Sequence, residues 1–261
     1  MPKIIIDAGH YGGYNQSPVY TQYKEGDQMW KLSQYLTTAL KEYGFTVGST
    51  KASVNDYPKS NGKDDVYKRG QMAKGYDLML SLHSNACGTE SVNRAVIIHP
   101  MSGESKGLAA KLGECVKSTM GVSSYQLAQR DYNTGTFYYD GKARSGKDYY
   151  GVIRGAVAQG VQCIIIEHGF HTNTAVAKWL MSDANLKKLA EAEAKVLAEH
   201  YGLKKQTSTA TSAAPSYSAS QIEAAKNTVK TKAGLADKTI DYLMKYQYGN
   251  DLIIKLAKAM K

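Results

Sequence analysis

Four polar residues lie at the ends of apolar segments or just beyond them, and their types suit hydrolytic chemistry. His10 follows KIIIDAG, and Glu25 stands where a predicted helix begins. His83 lies in LMLSLHSN, and Glu167 lies in CIIIEHG. An open α/β sheet gathers such residues in the crevice at the carboxyl ends of its strands. Two imidazoles and one carboxylate form a set that suits Zn²⁺, and a second carboxylate can act as a base for water. The pattern predicts a zinc hydrolase.

Position alone leaves the role of Glu167 open, because a solvated strand end would carry a carboxylate equally well. The other histidines fit structural roles better than catalytic ones. His99 ends a strand, and His200 lies on the last helix before the linker. His168 and His171 lie close to Glu167 in the sequence and could also orient substrate, or form hydrogen bonds that orient a metal-binding residue. The three cysteines lack metal-type spacing, so we interpret them as buried or incidental thiols.

Apolar periodicity predicts the elements that must position these residues. Runs of consecutive apolar residues predict strands buried on both faces. These are Lys3 to Ile6, Thr46 to Ser49, Leu78 to Leu82, Ala95 to His99, Val152 to Ala156 and Gln162 to Ile166. Helical spacing predicts intervening helices at Met29 to Tyr43, Val66 to Lys74, Leu108 to Thr119, Val176 to Leu180 and Leu186 to Tyr201. The alternation predicts an α/β fold with a mostly parallel twisted sheet covered by helices on both faces.

Residues 121–150 interrupt this alternation with many tyrosines among Gly, Ser, Asn and Lys. A long loop inside a compact domain is usually functional or wrongly assigned. We therefore consider two interpretations, a rim that contacts substrate and an edge strand. Asn85, Arg130 and Arg154 are candidates for holding an acidic substrate, although structural roles fit each of them as well.

A stretch rich in Ser, Thr, Ala and Lys at residues 204–220 predicts a flexible linker. It divides a catalytic domain at 1–203 from a small helical domain at 221–261. In that tail, Ser220 to Glu223 reads as a capping box, Gly234 ends the first helix, and Asp237 and Asn250 begin the next two. The pattern predicts a small three-helix bundle that self-association could stabilise. Tyr242, Tyr246 and Tyr248 are candidates for stacking on sugars, or for filling the core of the bundle.

The net charge of +10 favours polyanionic partners, and residues 216–261 carry 8 Lys against 4 Asp plus Glu. Nucleic acid, anionic lipid and wall teichoic acid all qualify by charge alone. The N-terminus MPKIIIDAGH lacks the apolar core of a signal peptide, and no run is long enough to span a membrane. We therefore expect synthesis as a soluble cytosolic protein.

Four motifs in order, KIIIDAGH, the helix-opening Glu25, LSLHSNA and IIIEHGFHTN, resemble the zinc-dependent N-acetylmuramoyl-L-alanine amidases of the type 3 family. The segment RAVIIHPMSGESKGLAAKL is similar as well, and the resemblance covers residues 1–203. It implies that His10, Glu25 and His83 bind Zn²⁺ and that Glu167 is the catalytic carboxylate. The chain departs from many members at His168, where they have threonine, and at Met29, where they have asparagine.

The resemblance implies hydrolysis of the amide between N-acetylmuramic acid and L-alanine in peptidoglycan. The expected setting is a phage endolysin that stays in the host cytoplasm until lysis and then reaches the wall. Its helical tail would bind the wall, with teichoic acid as a candidate ligand, and we expect no nucleic-acid or membrane partner. The alternatives are a sporulation or autolytic amidase, a zinc peptidase or deacetylase acting on another bond, and a polyanion-binding protein without catalysis.

Overall fold

A mixed, mostly parallel sheet forms the centre of the N-terminal part of the chain. The computed structural model describes residues 1–206, 217–245 and 249–260. The strands are β1 (Lys3–Ala8), β2 (Thr46–Ser49), β3 (Lys59–Ser60), β4 (Lys63–Asp64), β5 (Leu78–Asn85), β6 (Arg94–Ile98), β7 (Ser124–Arg130), β8 (Phe137–Tyr138) and β9 (Gln162–Phe170). The helices beside them are α1 (Glu25–Glu42), α2 (Val66–Gln71), α3 (Lys106–Met120), α4 (Gly151–Val157), α5 (Thr174–Leu180) and α6 (Asp183–His200).

The strand order in the main sheet is β2-β1-β5-β9-β6-β7-β8. Neighbouring strands are parallel except at the pairs β6–β9 and β7–β8. Strands β3 and β4 form a separate small hairpin. Because β1, β5 and β9 are adjacent and parallel, their carboxyl ends meet at one edge of the sheet, where His10, His83 and Glu167 are found.

Alternate residues of the central strands face two different apolar cores. Ile4, Leu80 and Ile166 belong to the larger core, which α1, α3, α5 and α6 cover. Ile5, Met79 and Ile165 belong to the smaller core, which α4 covers. Helices therefore flank both faces of the sheet, which confirms the predicted α/β class.

Two sequence predictions in this part were wrong or incomplete. Val152–Ala156, predicted as a strand, lies inside helix α4. A short apolar run cannot distinguish a strand from a buried helix by periodicity. Close packing between helices α4 and α2 favours the helix. A Cβ at Gly155 would lie 2.2 Å from the carbonyl oxygen of Tyr67 and 2.8 Å from the Cα of Gly70 on helix α2, so only glycine allows this contact. Residues 121–150 fit the edge-strand interpretation in part, because Ser124–Arg130 forms β7 beside β6 and Phe137–Tyr138 forms β8 at the edge of the sheet.

The C-terminal compact unit, Gln206–Lys261, is separate from Met1–Lys205. Its described helices are α7 (Ala219–Ala233), α8 (Asp237–Met244) and α9 (Gly249–Ala259). Val229, Ile240 and Ile253 are at most 3% exposed and lie in its apolar core. The capping box is formed by Ser218 and Gln221, not by Ser220 and Glu223 as predicted.

Several other predictions concern the ends of these elements. Gly234 ends α7 in the left-handed conformation with φ of 64°, as predicted. Asp237 is the first residue of α8, and its cap is Ala236 instead. Asn250 lies inside α9, which begins at Gly249. Most of the predicted linker, together with Tyr246 and Tyr248, lies outside the described residues. Within the described ranges, no helix combines the length and apolarity needed to cross a bilayer.

Candidate functional site

The register between β5 and β9 sets His83 directly beside Glu167. Paired residues of neighbouring strands point to the same face and lie about 5 Å apart. The register then shifts, because Asn85 pairs with Phe170 and β9 contains one extra residue between the pairs. Gly169 in this bulge has φ of 88°. The bulge interrupts the ladder immediately after the two polar residues, one pair before the strands end, so their side chains stand near the edge of the sheet.

His10 reaches the same edge from the turn after β1. Its φ is 56°, a left-handed conformation that few non-glycine residues adopt, and such conformations often occur at functional sites. The turn packs closely against its neighbours at two glycines. A Cβ on Gly9 would lie 2.5 Å from Cε1 of His83, and a Cβ on Gly26 would lie 1.8 Å from the carbonyl oxygen of Tyr11. Glycine at both positions lets the turn pack between the His83 ring and the start of helix α1.

His10, Glu25 and His83 bring their ligand atoms within 4.8 Å of one another. Nε2 of His10 is 3.3 Å from Oε2 of Glu25, and Nδ1 of His83 is 3.0 Å from Oε1 of the same carboxylate. The side chains of the histidines are 30% and 18% exposed, whereas that of Glu25 is 1% exposed. Two nitrogen donors and one oxygen donor match the ligands of catalytic zinc sites. Solvent reaches the site from the side of the histidines, where an open coordination position is needed.

Hydrogen bonds from neighbouring residues fix the carboxylate of Glu25 without any contribution from an ion. Its Oε1 accepts a hydrogen bond of 2.9 Å from the amide of Ser84, and its Oε2 accepts one from the side chain of Asn15. Burial alone would raise the pKa of this carboxyl, but the hydrogen bonds and charges of His10 and His83 hold it below its usual value. Glu25 therefore presents an ionised carboxylate in a preset orientation.

Glu167 has the opposite environment. Burial, assisted by the negative charge of Glu25, raises the pKa of Glu167 well above its ordinary value. Its Oε2 is a buried atom without a hydrogen-bond partner in the described part of the chain. A carboxyl group with a raised pKa and a free oxygen is suited to accepting and returning a proton. The two glutamates thus differ in the way that a ligand and a general base should differ.

A second layer of buried polar groups supports the strand ends. Nδ1 of His168 lies 3.0 Å from the carbonyl oxygen of His83, and its Nε2 lies 2.7 Å from Oε1 of Glu193 on helix α6. A carbonyl only accepts hydrogen bonds, so Nδ1 of His168 is the donor to His83. Nδ1 of His171 lies 2.9 Å from Oγ of Ser84, whose amide binds Glu25. Both histidines therefore contact the backbone or neighbour of a candidate ligand, in line with the second interpretation of their role.

A buried ion pair anchors the end of β1, three residues before His10. Nε and a terminal nitrogen of Arg69 each donate a hydrogen bond of 2.8 Å to the carboxylate of Asp7. Thr50 and Ser81 donate the remaining hydrogen bonds to Asp7, at 2.6 and 2.7 Å. Desolvation opposes ionisation, but the Arg69 charge and these bonds hold the pKa of Asp7 below its usual range.

Lys51 supports the turn itself, because its ammonium group donates to the carbonyl oxygen of His10. Burial lowers the pKa of Lys51 to about 8.

Not every sequence candidate comes to the site. His99 is buried with Nδ1 3.2 Å from the carbonyl oxygen of Pro100, and His200 is exposed on α6. The thiol of Cys87 donates to the carbonyl oxygen of Thr89 at 3.3 Å. Asn85 accepts a bond from the amide of Ala86.

The sequence did not reveal Asn15, Lys51 or the Asp7–Arg69 pair. Only the left-handed tendency of asparagine in a Gly-rich turn could have pointed to Asn15.

Residues 4–199 match a family model described as N-acetylmuramoyl-L-alanine amidase. No curated protein matches the chain in sequence. Solved structures share the fold of the N-terminal unit. The catalytic domain of CwlV from Bacillus (Paenibacillus) polymyxa var. colistinus is 16% identical, with a TM-score of 0.60, covering 78% of this chain and 100% of that one.

Two further structures are similar at the same level. AmiC2 of Nostoc punctiforme is 17% identical with a TM-score of 0.57, covering 77% of this chain and 97% of that one. The CwlD amidase of Clostridioides difficile, solved in complex with the GerS lipoprotein, is 18% identical with a TM-score of 0.56, covering 77% and 99%. At these identities the likeness extends to the fold of the sheet and its covering helices.

Proposed function

The chain belongs to the N-acetylmuramoyl-L-alanine amidase family, and we propose that it hydrolyses the lactyl amide of peptidoglycan with Zn²⁺ held by His10, Glu25 and His83. The observation that carries this proposal is the convergence of the three donors beside Glu167 at one strand edge. The fit of the residues to the ion is supported by the donor types, by the ionised state of Glu25 and by the orphaned oxygen of Glu167.

The residues of the chain divide the work of hydrolysis. A zinc ion at this site would supply Lewis acidity that polarises a carbonyl and acidifies water. Glu167 takes a proton from the attacking water and delivers it to the amine nitrogen of L-alanine as the carbon–nitrogen bond breaks. Its raised pKa favours the second step, because a proton held by Glu167 must be available when the amine leaves. Asn15 and the Ser84 amide keep Glu25 from swinging toward the substrate.

We also propose that the protein is a phage endolysin whose C-terminal unit anchors it to anionic wall polymers such as teichoic acid. Support comes from the lysine excess of residues 216–261 and from Tyr242, whose side chain is 77% exposed. A tethered anchor raises the local concentration of an enzyme on an insoluble polymer. A protein consisting of residues 1–205 should then cleave soluble muropeptide like the full chain but lyse whole cells poorly at low concentration. Equal lysis by both proteins would count against anchoring.

Mass spectrometry of digested peptidoglycan tests the reaction. The full chain should release stem peptides that begin with free L-alanine and leave the glycan strands unbroken. Glu167→Gln should lose about 10²–10⁴-fold in turnover while retaining the fold and zinc. Glu114→Gln removes an equivalent charge from an exposed position on helix α3 and serves as the matched control. Cleavage within the peptide, or loss of an acetyl group, would instead identify the peptidase or deacetylase alternative.

A further inference from the structure

A surface rich in rings and cations surrounds the β7–β8 edge of the sheet and the start of α4. Three aromatic side chains there are between 37% and 45% exposed, which is unusual for rings of this size. We call this surface the cation–aromatic rim, and it comprises Arg130, Tyr132, Phe137, Lys147, Tyr149 and Arg154.

Each cation of the rim rests on a ring. The guanidinium carbon of Arg130 is 3.6 Å from the centre of the Tyr149 ring and 4.5 Å from that of Phe137. The ammonium of Lys147 and the guanidinium of Arg154 are each 4.5 Å from the centre of the Tyr132 ring. Such contacts hold a cation in place without cancelling its charge.

The three cations have no ion-pair partner in the described part of the chain. Arg130 donates to the carbonyl oxygen of Gly135, and Arg154 donates to that of Asp148, at 3.2 and 3.0 Å. Arg144 on the same segment differs, because it pairs with Asp140 at 2.7 Å. The rim therefore presents positive charges that are held in position and remain available to an anionic ligand.

A groove of about 470 Å³ runs beside this charge, lined by Tyr67, Lys147, Asp148 and Arg154 among others. Asp148 also lines this groove, but it is buried and its Oδ1 accepts a 2.8 Å hydrogen bond from the amide of Met101. Burial raises the pKa of Asp148 to about 6, while the hydrogen bond from Met101 and the charge of Arg154 act in the opposite direction.

Tyr150 connects the rim to the catalytic edge. It precedes α4 directly and packs against the smaller core, which includes Phe170 at the end of β9. Burial raises the pKa of Tyr150, interaction with Arg130 opposes this, and the charge of Glu167 adds to the rise. Tyr150 thus packs against both the rim, where its ring centroid is 5.3 Å from that of Tyr149, and the smaller core that contains Phe170.

We propose that the cation–aromatic rim binds the carboxylate-bearing stem peptide of the substrate. This inference rests on the proposed amidase reaction. In the intact substrate the lactyl carboxyl is consumed in the scissile amide, so the free carboxylates lie on the peptide side and not on the neighbouring sugars. The exposed parts of Tyr132 and Tyr149 supply apolar contact for the aliphatic parts of the peptide, and the cations receive its carboxylates.

Lys147→Gln is the most direct test. The Lys147 ammonium contacts the Tyr132 ring and forms no ion pair within the described residues, so its removal breaks no salt bridge there. Lys142→Gln is the matched control, since Lys142 is an exposed lysine of the same segment that takes no part in the rim. The probe is a synthetic tetrapeptide of L-alanine, D-isoglutamate, L-lysine and D-alanine, titrated calorimetrically into the full chain. The second probe is the same peptide with its carboxylates amidated.

We expect Lys147→Gln to weaken binding of the acidic peptide by about two- to fivefold, the effect of one partly solvated ion pair. Arg154→Gln, checked for an unchanged melting temperature, should do the same. The amidated peptide should bind more weakly to the wild type and be insensitive to either change. Equal affinity for the two peptides, or an equal loss in Lys142→Gln, would overturn the proposal.

Amide cleavage is measured separately, which keeps the two proposals distinguishable. Cleavage of the lactyl amide without carboxylate-dependent binding at the rim refutes the rim alone. Carboxylate-dependent binding without cleavage refutes the proposed reaction but leaves the rim as a peptide site. If polyglycerol phosphate binds in a Lys147-dependent manner and the acidic peptide does not, the rim serves a wall polymer and the stem-peptide assignment is wrong.

Discussion

Gly9→Ala should damage the candidate metal site without removing any ligand. The new Cβ would lie 2.5 Å from Cε1 of His83, 2.6 Å from its Nδ1 and 2.7 Å from the carbonyl oxygen of Leu82. The backbone at this point cannot retreat easily, because the Gly9 amide donates a 2.8 Å hydrogen bond to that same carbonyl. The His83 ring must therefore move.

The size of the movement sets the expected effect. Ordinary contact for a Cβ begins at 3.4 Å, so the ring must withdraw by about 0.9 Å. Metal–ligand distances tolerate only about 0.2 Å, so the displaced ring cannot bind an ion held by His10 and Glu25 as before. We expect zinc affinity to fall by roughly 10–100-fold, as when a group supporting a ligand is removed. Overpacking should also lower the free energy of unfolding by about 1–3 kcal/mol.

Zinc affinity is measured by competition with a chromogenic chelator, and the free energy of unfolding by urea titration of the metal-free protein. Gly88→Ala is the matched control, because Gly88 follows the same strand and a Cβ there meets no atom within 4 Å. The control should behave as the wild type in both assays. If folded Gly9→Ala binds zinc with wild-type affinity, then either His83 does not bind the ion or the close approach of Gly9 has no part in placing it.

Substitutions at three further positions, Arg69, Asp7 and Glu193, test the buried polar groups. Arg69→Met should cost about 3–5 kcal/mol of unfolding free energy in urea titrations, because it leaves the Asp7 charge buried and unpaired. Since the pKa of Asp7 is depressed in the folded state, its ionisation stabilises the fold fully above the unfolded value of about 3.9, and this stabilisation declines as pH falls. Asp7→Asn should therefore flatten the acid side of the stability-versus-pH curve, and an unchanged slope would contradict the assignment. Glu193→Ala should cost about 1–3 kcal/mol and weaken zinc binding through His168, whereas Glu193→Gln, which can still hydrogen-bond, should recover most of both.

The sequence alone was sufficient for the fold class and for naming His10, Glu25, His83 and Glu167 as candidates that the structure brings together. Consecutive apolar residues in KIII and CIII indicate strands that are buried on both faces. A strand with one face in solvent would instead alternate apolar and polar residues. The ends of these strands then place His83 and Glu167 at one edge, since parallel strands share their direction. Gly121 and Gly234 end helices for a local reason, as each adopts a left-handed conformation that glycine accepts without strain.

Tertiary structure decided what local pattern leaves open. Val152–Ala156 is apolar enough for a strand or a helix, and the close packing of Gly70 against Gly155 selects the helix. The different chemical states of Glu25 and Glu167 depend on burial and on neighbours such as Asn15 and the Ser84 amide. Asp7 and Arg69 are 62 positions apart in the sequence, and Glu193 and His168, which also form a hydrogen bond, are 25 positions apart. No spacing rule encodes such pairs, because they form only when the sheet and its helices are packed together.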